Sequence, residues 1–400
     1  MTEQRFATDN RWMLPEGIDE LLPPRAAELE ELRRQLLDLF ASWGYELIMP
    51  PFIEFLDSLL TGSGHDLDLQ TFKLIDQLSG RLMGVRADMT PQAARIDAHQ
   101  LRREHPARLC YIGTVLRTRP ESAGGSRDPV QVGAELFGHG GVESDIEIVS
   151  LMLELLRTAG IEQPHLDIGH VGIFRSLARQ AQLSPDAERA LFDALHRKAR
   201  PEIEELLEAA PISAPMREML AALPELHGGI EVLDQVGQRL AQANGEVQQA
   251  LRSLWGIADA VQRRFPHVPL HFDLAELRGY RYHTGAVFAA FAPGYGRELA
   301  RGGRYDEVGR VFGASRPATG FSADLKALAA LGRRQPPKAS GIYAPWSDDP
   351  AVIAEVERLR RSGERVIWAL PGQAGDDARV MGCDRRLVRS PDGTWQVVPA

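Results

Sequence analysis

Three short clusters of polar residues could do chemistry, because each brings charged and hydrogen-bonding side chains together. In the first, residues 85–95, Arg86 and Asp88 end a predicted strand and Thr90 begins a predicted helix. A corner between a strand and a helix directs polar groups toward one place. The alternative is a helix-capping threonine with charges on the surface.

The second cluster combines Arg117 with the segment 127–135. On a strand, Gln131, Gly133 and Glu135 share one face, opposite apolar residues. A buried amide and a buried carboxylate need partners, so they contact either each other or a ligand. A half-exposed strand with one solvated face is the alternative.

The third cluster concentrates Arg, Tyr and Gly in two segments, 277–285 and 301–306, on either side of an apolar strand. Glycine allows close backbone approach, and arginine and tyrosine donate hydrogen bonds to small anionic or zwitterionic molecules. The pattern favours a ligand site over a solvated hairpin edge.

Familiar signatures of nucleotide, metal and hydrolase sites are absent from the sequence. There is no Walker loop, no GxGxxG after a strand, no HExxH and no GxSxG. The eleven histidines and two cysteines have no ligand spacing. We therefore predict no metal and no cofactor.

The composition is typical of a globular, cytoplasmic chain. Its 400 residues allow two or three domains, and 44% are apolar and 25% charged. No apolar run is long enough to cross a membrane, and the first residues lack the apolar core of a signal peptide. The net charge of −9 argues against a broadly basic nucleic-acid surface.

The elements that must position the clusters can be predicted from periodicity and turn residues. Short strands surround the three clusters, and helices of period 3.6 flank them, one ending at Gly44 and one capped by Ser144. Strands segregated from helices indicate an α+β fold. The predicted helices are 26–43, 144–159 and 323–331; the predicted strands are 45–49, 69–76, 82–86, 108–112, 130–137, 165–169, 268–274 and 286–291.

A change of composition predicts three structural parts. Between 175 and 266, Arg, Leu, Ala and Glu dominate, which predicts three to five helices. After a linker at 335–340, a helix at 350–362 and a strand at 365–370 predict a small α/β piece. The predicted domains are a core of residues 1–174 and 267–332, a helical insertion of residues 175–266, and a C-terminal α/β domain of residues 341–400.

Taken in this order, the clusters resemble the catalytic core of class II histidyl-tRNA synthetases over residues 12–330. The resemblance implies that family's fold, an antiparallel sheet flanked by helices, here with a helical insertion and a small C-terminal α/β piece. The similar segments are 17–23 and 44–54 (motif 1, which forms dimers in that class), 85–90 (LRPEGT, with Asp88 for glutamate), Arg117 with 127–138 (motif 2), Arg278-Gly279 (the start of RGLDYY) and 302–306 (GGRYD).

Several departures separate this chain from an active synthetase. Ala327 stands where motif 3 has the arginine that holds the ATP phosphates, and losing such a clamp removes several orders of magnitude in rate. Motif 2 is one residue short after Arg117, and Arg281 and His283 replace an aspartate and a tyrosine. The anticodon-binding domain is missing, so no tRNA is expected.

With these departures, the whole chain resembles the synthetase-derived regulatory subunits of ATP phosphoribosyltransferase, most clearly at 126–138, at 278–285 and near the C-terminus. The resemblance implies a subunit without catalytic residues that makes the first step of histidine biosynthesis active and sensitive to histidine. It also implies a hetero-octamer of four plus four with the short-form catalytic subunit, and a self-dimer through the motif 1-like segment. The alternatives are an active histidyl-tRNA synthetase-like enzyme and an orphan histidine sensor.

The resemblance further implies roles for site residues if histidine occupies the old amino-acid pocket. Asp88 would pair with the ammonium, Arg278 or Arg117 would hold the carboxylate, and Glu135 would accept a hydrogen bond from the imidazole. His283 leaves a subunit interface open as the other place for histidine. The predicted histidine-binding residues are Asp88, Thr90, Arg117, Gln131, Glu135, Arg278, His283 and Tyr305.

Overall fold

A nine-stranded sheet organises the first of two structural units, which comprise residues 1–334 and 335–400. The computed structural model describes residues 12–61, 65–121, 125–277, 279–280, 282–308, 316–332, 340–372 and 377–400. The strands of the first unit are β1 (Glu46–Leu47), β2 (Ile53–Phe55), β3 (Lys73–Ile75), β4 (Leu82–Val85), β5 (Ala107–Thr114), β6 (Val130–Phe137), β7 (His165–His170), β8 (His227–Gly228), β9 (Leu270–Asp273), β10 (Ala286–Ala292), β11 (Tyr295–Arg304) and β12 (Ala318–Asp324).

The sheet is mostly antiparallel, in agreement with the α+β prediction. Its spatial order is β1-β5-β6-β12-β11-β10-β7-β9-β8, with parallel pairing only of β1 with β5 and of β7 with β9. A separate three-stranded sheet has the order β2-β4-β3. Five neighbouring strands, β5, β6, β12, β11 and β10, carry or border the second and third clusters, so the sheet itself brings these clusters together.

Helices cover the sheet, and they make up most of the chain that runs from the end of β7 to the start of β9. They are α1 (Arg25–Ser42), α2 (Leu56–Leu60), α3 (His65–Gln70), α4 (Thr90–Arg95), α5 (Val142–Thr158), α6 (Val171–Gln180), α7 (Pro185–His196), α8 (Arg200–Ala209), α9 (Ala214–Ala222), α10 (Val232–Arg239), α11 (Gly245–Arg264) and α12 (Leu325–Leu331). A π-helical segment, Ile96–Leu101, continues α4. Six of these helices, α6 to α11, fall within or across residues 175–266, one more than the upper prediction.

Helix α1 shows how the sequence forms the core. Leu32, Leu36 and Phe40 recur every four residues on one face and are fully buried. The chain then reverses at Gly44, whose φ of +78° is a conformation that glycine adopts without steric cost. The predicted helix end at this glycine is confirmed.

The predicted cap at Ser144 is wrong, whereas Thr90 begins its helix as predicted and does not cap it. Helix α5 begins at Val142, so Ser144 lies inside it and donates to the carbonyl oxygen of Gly141 at 2.8 Å. Thr90 is the first residue of α4, and its N–H donates to Asp88 Oδ1 at 2.9 Å. Asp88 accepts the first N–H of α4, whereas no described side chain caps α5.

The second unit is a four-stranded sheet with two helices. Its order is β14-β13-β15-β16, in which β14, β13 and β15 are parallel and β16 is antiparallel. The elements are β13 (Ile342–Pro345), α13 (Pro350–Arg361), β14 (Val366–Ala369), α14 (Asp377–Val380), β15 (Arg385–Arg389) and β16 (Trp395–Pro399). Across the described part of the chain, no helix is both long enough and apolar enough to cross a membrane.

Candidate functional site

The register of three central strands places a buried carboxylate above two glycines. Glu135 on β6 lies opposite Gly320 on β12, which in turn lies opposite Gly303 on β11. A Cβ on Gly320 would overlap the Glu135 carboxylate and come within 2.8 Å of the carbonyl oxygen of Ala134. Glycine is therefore required at position 320 to leave space for the acid.

Two tyrosines hold Glu135. Tyr111 Oη donates to Glu135 Oε1 at 2.8 Å, and Tyr305 Oη donates to the other carboxylate oxygen. Tyr111 Oη also lies 3.0 Å from Thr90 Oγ1, which links the β-strand network to the start of α4. Burial raises the pKa of Glu135 to about 8, although these hydroxyl groups favour the ionised form.

A second network fixes Asp88 at the strand-to-helix corner. Gln131 Nε2 donates to Asp88 Oδ1 at 2.8 Å, and Gln131 Oε1 accepts the N–H of Met89 at 2.9 Å. Both hydrogen bonds orient the Gln131 amide, and the N–H of Thr90 adds a third contact to Asp88. The first two clusters, distant in sequence, thus form a single polar site.

A cleft of about 490 Å³ opens over these groups. Its lining includes the described residues Asp88, Thr90, Glu135, His283 and Tyr305 from the predicted set. Four further carboxylates and one arginine line it, and Arg301 pairs with two of these carboxylates, so the lining keeps an excess of negative charge: Glu121, Asp167, Glu276 and Glu298. An acidic lining of this kind suits a ligand that carries an ammonium or a protonated ring.

A second cleft, of about 450 Å³, contains the other two described residues of the predicted histidine-binding set. It is lined by Arg117 and Gln131, and it shares Glu121, Glu298 and Arg301 with the first cleft. The predicted set is therefore divided between two neighbouring clefts. Arg278 and Arg281 lie outside the described residues.

Aromatic rings close one side of the first cleft. Tyr282 stacks on Tyr305 with ring centroids 5.1 Å apart, and His283 meets Tyr282 edge to face at 5.4 Å. The hydroxyl of Tyr282 is buried and has no hydrogen-bond partner among the described residues. A Cβ at Gly303 would lie 2.8 Å from His283 Cδ2, so that glycine makes space for the imidazole.

Two arginines of the clusters are structural instead of ligand-binding. Arg304 is buried, pairs with Asp145 at 3.0 Å and donates to Ser144 Oγ at 2.8 Å. Arg86 donates from Nε to the carbonyl oxygen of Thr114 at 2.9 Å. Both side chains connect the sheet to a helix or a loop, and the contacts of their guanidinium groups are with other protein groups.

Sequence reasoning missed Tyr111, Tyr282, Glu121 and Glu298. Tyr111 reaches the site because it lies opposite Gly133 in the pairing of β5 with β6, and single-strand patterns do not reveal such register. The described residues contain no group of three or more His, Cys, Asp and Glu side chains able to hold a metal ion.

Comparison with known proteins first defines the class. Residues 17–328 match the histidyl-tRNA synthetase family. A crystal structure of an ATP phosphoribosyltransferase regulatory subunit/histidyl-tRNA synthetase from Bacillus halodurans is similar, with a TM-score of 0.80 and 26% identity over 94% of this chain and 97% of that chain. Histidyl-tRNA synthetase from Nostoc shares the fold, with a TM-score of 0.77 and 19% identity over 97% of each chain. The class II synthetase-like fold prediction is confirmed.

The particular family follows from the remainder of the chain. Residues 339–398 match the ATP phosphoribosyltransferase subunit HisZ C-terminal domain. The chain is 65% identical to an ATP phosphoribosyltransferase regulatory subunit from Alkalilimnicola ehrlichii over 100% of both chains, and 61% identical to one from Thioalkalivibrio sulfidiphilus over 97% of this chain and 98% of that one. This chain belongs to the family of ATP phosphoribosyltransferase regulatory subunits, which confirms the resemblance found in the sequence.

Proposed function

We propose that this chain is the regulatory subunit of an ATP phosphoribosyltransferase, acts in the first step of histidine biosynthesis and transmits feedback by histidine. The observation that carries the proposal is the combination of a synthetase-like unit with a C-terminal domain of the HisZ type in one chain. The two clefts supply the physical reason why a synthetase-like unit would serve recognition instead of chemistry.

The second cleft supports the absence of synthetase activity. Ala327 on α12 lines it at the position of the arginine in motif 3. A methyl group cannot neutralise the charge that develops on a phosphoryl group, and this stabilisation is usually the largest electrostatic contribution to such reactions. Arg117, the motif 2 arginine, is engaged with Glu121 at 2.9 Å. The chain therefore acts through its partner's active site.

The partner is a short-form catalytic subunit, in a hetero-octamer of four plus four chains. The self-dimer within it forms through the motif 1-like segment, where Leu47, Met49, Phe52 and Ile53 are exposed, Met49 by 77%. Exposed apolar side chains concentrated in one segment are typical of protein interfaces. A cytoplasmic location belongs to the same proposal.

Histidine is the proposed effector, bound in the first cleft. Asp88, already oriented by Gln131 and Thr90, pairs with the ammonium, and Glu135 and Tyr305 face the imidazole. The carboxylate is assigned to Arg278 or Arg117, and His283 borders the ring site. An effector regulates only if it binds two states of the assembly with different affinity.

Reconstitution tests the proposal. The full chain is mixed with a short-form catalytic subunit, and copurification, the rate of phosphoribosyl transfer to ATP and its inhibition by histidine are measured. We expect a stable complex, a higher rate than that of the catalytic subunit alone, and inhibition by histidine. No complex and an unchanged rate would favour an orphan sensor, and clear histidine-dependent ATP–pyrophosphate exchange by the isolated chain would favour an active synthetase.

A Met49→Glu variant tests the self-dimer. We expect it to shift the mass of the isolated chain from dimer to monomer in light scattering, because a charge buried in an interface is costly. Val380→Glu, at an exposed apolar residue of the second unit, is the matched control and leaves the mass unchanged. A Met49→Glu chain that remains dimeric would place the interface elsewhere.

A further inference from the structure

One carboxylate joins two arginines at the boundary of the two clefts. Glu121 Oε1 forms an ion pair with Arg117 Nη1 at 2.9 Å and accepts a hydrogen bond from Arg301 Nη2 at 2.7 Å. Arg117 follows β5, and Arg301 lies on β11, so the two guanidinium groups come from separate parts of the chain. A carboxylate between two guanidinium groups has the arrangement in which proteins bind carboxylate or phosphate ligands.

The charges around this carboxylate are balanced. Arg301 also donates from Nη1 to Glu298 at 2.7 Å. Arg117 and Arg301 together supply two positive charges, which Glu121 and Glu298 match with two negative ones. An anionic ligand that enters either cleft therefore finds these two cations already neutralised, and it gains little from them while Glu121 stays in place.

The backbone at Arg117 is fixed by hydrogen bonds, whereas the Glu121 carboxylate is partly open to solvent. The N–H of Arg117 donates to the carbonyl oxygen of Arg127 at 2.7 Å, and the next residue, Thr118, donates through its N–H to Gln70 at 2.9 Å. The side chain of Arg117 is 13% exposed and that of Glu121 is 32% exposed. Ion pairs with solvent access are weak, so a ligand anion can replace the Glu121 carboxylate without unfolding the site.

We propose that Arg117 and Arg301 form a binding site for one anionic group, a carboxylate or a phosphate, and that Glu121 occupies this site until a ligand displaces it. Glu121 thereby lowers the affinity of the clefts for anions and sets the ligand concentration at which they fill. The carboxylate source rests on the proposed function, because it would be the carboxylate of histidine whose ammonium meets Asp88. The phosphate source does not depend on that proposal.

The test compares the full chain with its Glu121→Gln variant, which keeps the side-chain shape and removes the charge. Calorimetric titration uses three probes: L-histidine, L-histidinol, which lacks the carboxylate, and inorganic phosphate. We expect Glu121→Gln to tighten binding of the anionic probe at least about tenfold, equivalent to ~1.4 kcal/mol. Glu204→Gln, at an exposed residue of α8, is the control for loss of one negative charge and leaves all affinities unchanged.

The three probes identify the source of the anion. A gain for histidine without a gain for histidinol supports the carboxylate, and a gain for phosphate alone supports the phosphate. In either case, adding Arg301→Gln to Glu121→Gln abolishes the gain. Thermal unfolding of each variant verifies that it is folded.

Other outcomes overturn the inference. These are no gain for histidine or phosphate, an equal gain for histidine and histidinol, or the same gain in Glu204→Gln. The proposed function has a separate outcome. If phosphate binds more tightly to Glu121→Gln while histidine binds neither chain nor the reconstituted complex, the anion site stands and the histidine pocket is wrong.

Discussion

Replacing Glu135 by glutamine should change the pH dependence of stability. The acid is 1% exposed, and of the groups in the described part of the chain only hydroxyls donate to it. Since burial raises its pKa to about 8, the folded chain holds a proton there at pH values where the unfolded chain has lost it. Stability is thus greatest below the ordinary glutamate pKa and is lost as the pH rises toward 8. Glutamine has no such proton to lose.

The size of the effect follows from the two pKa values. Each pKa unit of difference contributes about 1.4 kcal/mol to the free energy of unfolding, so a rise from the ordinary value of 4.5 to about 8 gives an upper limit of roughly 5 kcal/mol. Between pH 6 and pH 8, the unfolded acid is ionised and the folded acid begins to ionise. The free energy of unfolding should fall by about 2 kcal/mol more in the native chain than in Glu135→Gln.

Urea unfolding of both chains at pH 6, 7 and 8 measures this difference. Glu204→Gln, which removes an exposed carboxylate of the same unit, should follow the native chain at every pH. A constant free-energy difference between the native chain and Glu135→Gln across this range would refute the reasoning. It would mean that Glu135 is already ionised in the folded chain at pH 6.

Three further changes test the surrounding structure. Arg304→Met leaves Asp145 buried and unpaired and should lower the free energy of unfolding by about 3–5 kcal/mol; an unchanged urea midpoint would contradict the structural role of the arginine. Gly320→Ala forces a methyl group onto Glu135, so we expect a loss of about 1–3 kcal/mol in urea unfolding, and a gain in stability would show that the register is wrong. Burial raises the pKa of the Cys110 thiol to about 12, so mass spectrometry should find it unmodified by iodoacetamide at pH 8 until urea unfolds the chain, and rapid native labelling would contradict its burial.

Local patterns predicted those parts of the fold that depend on local interactions. Helix α1, its end at Gly44 and strand β6 follow from periodicity and a single glycine, and β6 has the predicted bounds. Strand β11 was missed because it passes through Gly302 and Gly303, residues that strands normally avoid. The predicted strand over 69–76 is partly wrong, since α3 extends to Gln70 and only Lys73–Ile75 is strand.

The residue types of the candidate site could be predicted from the sequence, but the partners that these residues contact could not. The alternation of β6 predicts that Gln131 and Glu135 share a face, and the structure buries both. Their partners depend on register and on contacts across the chain. Tyr111 meets Glu135 through the pairing of β5 with β6, and Glu121 meets Arg301 across 180 residues. Such contacts require the paired sheet, which no single segment specifies.

The two clefts differ in the groups that line them, and under the proposed function this difference would explain how a synthetase-like unit regulates. In the first, Gln131 and Thr90 hold Asp88, and Tyr111 and Tyr305 hold Glu135, so recognition groups are oriented before any ligand arrives. In the second, Ala327 supplies no charge. Oriented donors and acceptors stabilise a bound ligand, whereas phosphoryl chemistry also needs cations that are free to stabilise the transition state. Under the proposed function, a site with the first property and without the second would bind its ligand and release it unchanged, as an effector site must.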